Sequence, residues 1–165
     1  MPFTAPEPLA AHHQFDNFDC GEVSLNEWLK SRGRASDADG GSHVYVVCDG
    51  TRVVAYYTLS SYSIAQTLPP GRFKRNMPNP IPAMLLGRLA VDRRAQGLRL
   101  GSGLIKDAAK RVLQASAIVG VRGIVVHAIS ERAKKFYIDC GFTACQTEPM
   151  TLVVTLQDVR AALDI

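Results

Sequence analysis

Gln96-Gly97-Leu98-Arg99-Leu100-Gly101-Ser102-Gly103 lies between the apolar run Leu89-Ala90-Val91-Asp92 and an amphipathic stretch opening at Leu104-Ile105, so a strand feeds a helix through a glycine-rich turn. Glycines let backbone N–H groups converge on an anion, and the first amides of a helix have no internal partners, which suits a phosphate or pyrophosphate. The implied cargo is a nucleotide-containing cofactor. No Gly-Lys-Ser/Thr ending follows, as a nucleotide-triphosphate loop needs, and the Gly-x-Gly-x-x-Gly dinucleotide spacing is absent, which leaves coenzyme A as the leading candidate. Taken alone, the segment suits equally well a plain strand-to-helix loop whose glycines serve packing.

Further along, Gly123-Ile124-Val125-Val126-His127-Ala128-Ile129 reads as a strand. Ser130-Glu131-Arg132-Ala133-Lys134-Lys135-Phe136-Tyr137-Ile138-Asp139-Cys140-Gly141-Phe142 reads as a short helix, with the next strand starting at Phe142. Ser130 suits the N-cap and Gly141 the position just past the helix end. Ala133 and Tyr137 fall one turn apart on one face, and Gly141 stops the helix at the next interval. Together the two motifs resemble the GNAT superfamily of N-acetyltransferases, whose pyrophosphate loop and Ala-x-x-x-Tyr-x-x-x-Gly-Phe helix bind acetyl coenzyme A (acetyl-CoA). The resemblance implies an α/β (α+β) fold with a mixed, mostly antiparallel central sheet, flanking helices and a splayed strand pair that receives the pantetheine arm. It also implies acetyl-CoA contacts from Leu89, Ala90 and Val91, from Gln96, Gly97, Leu98, Arg99, Leu100, Gly101, Ser102 and Gly103, and from Ser130 and Ala133.

Phe18-Asp19-Cys20-Gly21-Glu22-Val23-Ser24-Leu25-Asn26-Glu27-Trp28-Leu29, Leu86-Gly87-Arg88-Leu89-Ala90-Val91-Asp92 and the stretch from Gly120 to Ala128 are similar to the toxin branch of this superfamily. Its members acetylate the free amino group of aminoacyl-tRNA and are held silent by a co-expressed antitoxin. The branch implies a homodimer and a ribbon-helix-helix-type antitoxin partner. One departure stands out: aligning Gln96 and Gly101 with the superfamily pattern Gln/Arg-x-x-Gly-x-Gly/Ala leaves Arg99 where the first glycine belongs. If Arg99 takes a helical backbone its side chain can swing outward to a phosphate; otherwise it obstructs the turn.

A chain of 165 residues with 47% hydrophobic content suits one domain, residues 1–165, in which residues 1–14 read as a loose N-terminal arm. No apolar stretch reaches membrane-spanning length, and Met1-Pro2-Phe3-Thr4-Ala5-Pro6-Glu7-Pro8 lacks the features of a secretory signal, so a cytoplasmic location without membrane attachment is expected. Cys20, Cys48, Cys140 and Cys145 have neither Cys-x-x-Cys spacing nor a disulfide framework, and are read as reduced core thiols with no metal. A net charge of +4 and a pI near 9.0 permit a nucleic-acid partner without requiring one. Arg72, Lys74 and Arg75 in a proline-rich loop, and Arg93 beside the glycine turn, are candidate contacts to tRNA phosphates; a solvated basic surface explains the same residues.

His12-His13 is read as surface, without a partner at ligand spacing. Ser24 and Glu27 suit a capping box for a first helix, which Gly33 and the run from Asp37 to Ser42 end. A hairpin follows, His43 to Cys48, an Asp49-Gly50 turn, then Thr51 to Ser60. Pro69, Pro70, Pro78, Pro80 and Pro82 forbid regular structure across the middle loop, which is read as a substrate-side flap. The strand Met84 to Val91 comes next, then a helix with Leu104, Ile105, Ala108, Ala109 and Val112 as its apolar stripe, and finally the strand Thr151 to Leu156 and a helical tail.

Acetyl transfer to an amine needs a neutral amine, a donor for the oxyanion and a proton for the departing thiolate. An α-amine of pKa about 7.7 to 8 is partly neutral at cellular pH, so no strong base is demanded. A backbone N–H on Leu89-Ala90-Val91 suits the oxyanion, and Tyr137, the candidate catalytic residue, suits the proton donor. Cys140 at a helix C-terminus is a poor nucleophile, and His127 inside an apolar strand reads as a hydrogen-bonded core residue more than as a base. The leading expectation is a toxin that acetylates the α-amine of aminoacyl-tRNA and so blocks translation. The alternatives are an acetyltransferase for a small amine or a protein N-terminus, and a non-catalytic coenzyme-A-site binding module.

Overall fold

The structure is a computed structural model describing residues 3–165. Its strands are β1 (Glu7–Pro8), β2 (His43–Asp49), β3 (Arg52–Ile64), β4 (Ile81–Val91), β5 (Gly123–His127), β6 (Thr143–Ala144) and β7 (Thr151–Thr155). Its helices are α1 (Val23–Asp39), the single turn α2 (Gly71–Lys74), α3 (Leu100–Ser116), α4 (Glu131–Asp139) and α5 (Leu156–Leu163). The strands hydrogen-bond in the order β1-β2-β3-β4-β5-β7-β6, giving the mixed α/β, mostly antiparallel sheet that the resemblance implies. Parallel pairing occurs where Met84 and Leu85 of β4 meet Ile124 and Val125 of β5. By backbone contacts the chain divides into two compact units: one holds the residues up to Ser60 and Gly87–Leu104, the other Ser61–Leu86 and Ile105–Ile165.

In the first unit, alternating Val and Tyr residues make β2 and β3 an antiparallel hairpin, from His43↔Leu59 to Asp49↔Arg52, with Gly50 at φ 66 in the turn. Phe15, Phe18, Leu29, Val44, Val46, Tyr56 and Ala90 form its core. Tyr56 is wholly buried and satisfies its hydroxyl by donating to the Leu25 carbonyl at 2.7 Å, while its ring stacks on Trp28, over which the Arg88 guanidinium lies at 3.9 Å.

Four expectations fail in this unit, where tertiary partners outcompete local signals. The capping box does not form, because Glu22 is the N-cap, no side chain caps the helix, and Ser24 lies within its first turn. Gly33 does not end α1 but is buried within it, with the Leu29 side chain 3.3 Å from where a Cβ would stand; the helix ends inside the run from Asp37 to Ser42 as expected, at Gly40 with φ 79. The segment read as a loose arm is tied down: Glu7 and Pro8 pair with Val46 and Tyr45, and the Thr4 hydroxyl accepts from the Cys48 amide at 2.9 Å. His13, read as surface, is 3% exposed, accepting from the Ala10 amide at Nδ1 and bonded to Glu7 through Nε2, both at 2.8 Å.

In the second unit β5 pairs antiparallel with β7 along its whole length, and β6 pairs with β7 on the other side. Ile64, Phe73, Ile81, Ala83, Val125, Cys145 and Val153 form a core cluster. The apolar stripe of α3 is buried as its spacing predicts. The middle loop is less irregular than its prolines suggest. It contains α2, and β4 starts at Ile81 and takes in Pro82. Arg122 fastens α2 by donating to the Phe73 carbonyl at 2.8 Å and the Arg72 carbonyl at 2.7 Å. Leu156 opens α5 rather than closing the last strand.

Gly123 sits where β5 and β7 pass each other. A Cβ there would overlap the Val154 carbonyl oxygen and stand 2.9 Å from the Phe73 ring. Gly123→Ala is therefore expected to destabilise the fold by about 3 kcal/mol, since backbone cannot yield as a side-chain tip can. Urea denaturation followed by far-UV circular dichroism tests this, and a midpoint equal to the parent's would refute it.

Candidate active site

The glycine turn is braced before it begins. β4 ends at Val91, and Asp92, 1% exposed, caps a 3₁₀ turn over Arg93–Ala95 by accepting from the Arg94 amide at 2.9 Å. The same carboxylate accepts from the Asp19 amide at 3.1 Å and the Arg94 guanidinium at 3.2 Å. Burial alone would raise the Asp92 carboxyl; the hydrogen bonds from Arg94 and Asp19 outweigh it and hold the group below the ordinary carboxylate range. The Arg93 amide donates to the Asp19 carbonyl at 2.8 Å. Gln96 turns its side chain back, donating to the Val91 carbonyl at 2.9 Å and the Cys20 carbonyl at 3.1 Å. Its side chain thus holds the turn, leaving the backbone to meet a ligand.

Past Gln96 the chain adopts the left-handed conformation twice, at Gly97 (φ 83) and at Arg99 (φ 63), before α3 starts at Leu100. Of the two alternatives left open for Arg99, the right-handed helical backbone is not the one the chain takes. Left-handed backbone is what glycine adopts freely and other residues adopt at a cost of about 1 kcal/mol, which explains why the superfamily pattern has glycine at this position. The Arg99 side chain is exposed. Leu100, Gly101, Ser102 and Gly103 form the first turn of α3; the Gly103 amide donates to the Arg99 carbonyl at 3.2 Å, and the leading amides before it are those that lack internal acceptors. A Cβ at Gly97 or Gly103 would meet nothing within 4 Å, so the cradle is open. An open, amide-lined turn at the start of a 17-residue helix fits a pyrophosphate. Of the strand residues expected to meet the cofactor, Ala90 is buried, and Leu89 and Val91 are half-buried.

In the second unit, α4 is capped as its sequence predicts: the Ser130 hydroxyl accepts from the Ala133 amide at 3.1 Å, and Gly141 follows the helix at φ 102. Tyr137 is 7% exposed and packs edge-on against Phe136 and Phe142. Burial pushes its hydroxyl well above the ordinary phenol range. The hydroxyl has no hydrogen-bond partner among the described residues, yet its oxygen is not sealed from solvent. Such a group keeps its proton at neutral pH and has it free to give. Burial likewise pushes the Cys140 thiol up to about 11, with Asp139 adding to the shift, so it is no nucleophile.

The basic candidates separate. Arg72 is committed to Asp158 of α5 through two bonds of 2.5 and 2.6 Å, a pairing that spacing along the chain could not reveal. Arg72 also lines, with Arg75, Met77, Pro82, Arg122 and Leu156, an open cavity of about 750 Å³ at the start of β4. Lys74 and Arg75 are exposed. Arg93 is exposed, 3.8 Å from Asp19 and against Gly21. His127, expected in the core, is exposed at the end of β5. The brace made by Asp19, Asp92 and Gln96 was also missed, although its residues stand within the quoted stretches.

Residues 40–144 match the acetyltransferase (GNAT) domain family. The chain is 42% identical over 161 residues to the tRNA-acetylating toxin of Mycobacterium tuberculosis (strain ATCC 25618 / H37Rv), an alignment covering 98% of this chain and 97% of the relative. Among solved structures, AtaT complexed with acetyl-methionyl-tRNAfMet superposes with a TM-score of 0.88 at 30% identity, covering 97% of this chain and 98% of that one. A tyrosine-to-phenylalanine mutant of AtaT, bound to the C-terminus of the antitoxin AtaR and acetyl-CoA, gives 0.83 at 30% identity, covering 96% of each chain. An open amide turn, a capped helix carrying a protonated tyrosine and this degree of likeness lead to one conclusion: the chain belongs to the GNAT acetyltransferase family.

Proposed function

We propose that this chain is an acetyl-CoA-dependent N-acetyltransferase that acetylates the α-amine of aminoacyl-tRNA, a toxin that blocks translation until a cognate antitoxin neutralises it. The observation that carries the reading is Tyr137, buried and protonated with no partner for its hydroxyl among the described residues, in a chain 42% identical to a tRNA-acetylating toxin. Acetyl-CoA supplies an acetyl group activated as a thioester. The amides from Gly97 to Ser102 hold its pyrophosphate, the Gly103 amide being bonded to the Arg99 carbonyl, and the exposed Arg99 guanidinium adds a charge-assisted contact. Ser130 and Ala133 complete the cofactor contacts, and the backbone of Leu89, Ala90 and Val91 donates to the developing oxyanion. Tyr137 gives its hydroxyl proton to the departing sulfur. Lys74 and Arg75, with Arg93, meet tRNA phosphates, whereas Arg72 serves by holding the loop to α5.

Among the described residues no helix is long and apolar enough to cross a membrane. A cytoplasmic site of action, a homodimeric state and a ribbon-helix-helix antitoxin are proposed on the likeness to the toxin branch. The chain up to Ile165 acts in this reading as one acetyltransferase domain.

Tyr137→Phe is expected to lower acetylation of charged tRNA by about a hundredfold while leaving the fold and acetyl-CoA affinity intact, because one hydroxyl contributes little packing and all of the acid function. Transfer of labelled acetyl groups, with calorimetry for the cofactor, checks this, and parental activity in the variant would remove Tyr137 from the mechanism. Neutralising Lys74 and Arg75 together should weaken use of tRNA, flatten its salt dependence and spare acetyl-CoA binding; an unchanged salt slope would take the loop out of the tRNA contact. Arg99→Gly should raise stability by about 1 kcal/mol by relieving the left-handed backbone, yet weaken acetyl-CoA about tenfold by removing a charged contact. Tighter cofactor binding in that variant would identify Arg99 as an obstruction instead.

A further inference from the structure

The buried residues of α1 are Asn26, Leu29 and Gly33, at the intervals of three and four that make one helix face. Leucine and glycine suit such a face; asparagine does not, because an amide withdrawn from water must find partners for both its oxygen and its nitrogen. Asn26, in the first turn of the helix, finds both in the segment that precedes it. Its Oδ1 accepts from the Cys20 amide at 2.8 Å, and its Nδ2 donates to the Asp19 carboxylate at 3.0 Å. A backbone amide only donates and a carboxylate only accepts, so the side chain has a single orientation. The same Asp19 oxygen accepts from the Gly21 amide at 2.9 Å, closing a tight turn with Gly21 at φ 96. The bonds from Gly21 and Asn26 hold the Asp19 carboxyl below the ordinary carboxylate range, so it is ionised at neutral pH.

The remaining polar groups of that segment meet the approach to the glycine turn. The Asp19 amide donates to Asp92 at 3.1 Å, the Asp19 carbonyl accepts from the Arg93 amide at 2.8 Å, and the Cys20 carbonyl accepts from the Gln96 side chain at 3.1 Å. A Cβ at Gly21 would stand 3.3 Å from Arg93 Nε, so the Arg93 side chain lies directly against the tight turn. Asn26 therefore reaches Asp92, Arg93 and Gln96 through one intervening residue, by hydrogen bonds of 3.1 Å or less throughout. Those three residues deliver the backbone to Gly97 and to the left-handed Arg99.

We propose that Asn26 is a positioning residue for acetyl-CoA: acting through Asp19 and Cys20, it holds the amides from Gly97 to Ser102 in the arrangement that receives the pyrophosphate, and so makes the first turn of α1 part of the cofactor site. The inference rests on the assignment of acetyl-CoA to the glycine turn made above. A turn that contains a strained residue relaxes unless its surroundings forbid it, and a relaxed turn must be reordered each time the anion binds, at the expense of affinity. The coupling runs both ways. If the brace tightens cofactor binding, bound cofactor tightens the brace by the same factor.

Two measurements test this. Amide hydrogen exchange on the parent chain needs no substitution: saturating acetyl-CoA should slow the amides of Asp19, Cys20 and Gly21 about tenfold, together with those from Gly97 to Ser102. Slowing in the glycine turn without slowing at Asp19 to Gly21 overturns the role of Asn26 alone. Acetyl-CoA that fails to bind, or binds and leaves the turn amides unchanged, overturns the assignment of the cofactor to the turn and this role with it. The second measurement uses Asn26→Asp, which keeps the acceptor for the Cys20 amide but sets a second carboxylate against that of Asp19. Two carboxylates so close share a proton as the pH falls, and the shared proton restores the missing donor. Arg93 and Asp92 act on Asp19 in parent and variant alike, and burial pushes the Cys20 thiol up, out of the range tested. Calorimetry at a temperature where both chains are folded should show acetyl-CoA bound about tenfold more weakly by the variant at pH near 8, the ratio closing to within roughly threefold by about pH 5.5. A purely structural role for Asn26 lowers the thermal midpoint without moving this ratio. Equal affinity at the higher pH, or a deficit that does not change with pH, overturns the proposal.

Discussion

A buried carboxylate governs the geometry of the cofactor turn. Asp92 is withdrawn from water at the end of β4, and an unpaired charge there would be intolerable, so every oxygen lone pair it directs inward must find a donor. It finds them in the Arg94 backbone and guanidinium and in the Asp19 amide, residues far apart in the chain. That requirement ties the segment Asp19-Cys20-Gly21 to the strand end, and Gln96 adds two bonds in the same direction. The backbone is then delivered to Gly97 with its course already set.

The left-handed backbone at Arg99 follows from that course. Two reversals of φ within three residues are needed to bring the chain from the braced strand end into the first turn of α3. The superfamily meets the second with glycine; this chain accepts the strain and gains an exposed guanidinium beside an anion cradle. Strain of this size persists only where the surroundings over-determine the backbone, which the Asp92 and Gln96 contacts do here.

The charged residues teach a related lesson in the second unit. Arg72, Lys74 and Arg75 are alike in sequence and all exposed, yet Arg72 is bonded to Asp158 and holds the loop to α5. Arg122, on the strand side, completes the fastening through the Phe73 and Arg72 carbonyls. The proline-rich loop is therefore anchored on one flank and presents its remaining charge outward. Binding residues carried on a loop gain precision when a neighbouring contact removes the loop's freedom, because less conformational entropy is then lost on association.

Local chemistry was legible in the sequence alone. The hairpin of β2 and β3, the Ser130 cap, the apolar stripe of α3, and the end of α4 at Gly141 each depend on residues a few positions apart, whose preferences act within one turn or one strand. The glycine turn and the Tyr137 helix were readable for the same reason. Tertiary structure decided what depends on distant partners. It buried His13 against Glu7, carried α1 through Gly33, committed Arg72 to Asp158, exposed His127 and joined it to Tyr62 and Thr151. It also set the sign of φ at Arg99, which no propensity of arginine predicts. In each case the deciding energy is the satisfaction of a buried polar group or the close packing of backbone, and such terms exist only once residues far apart in the chain have been brought together.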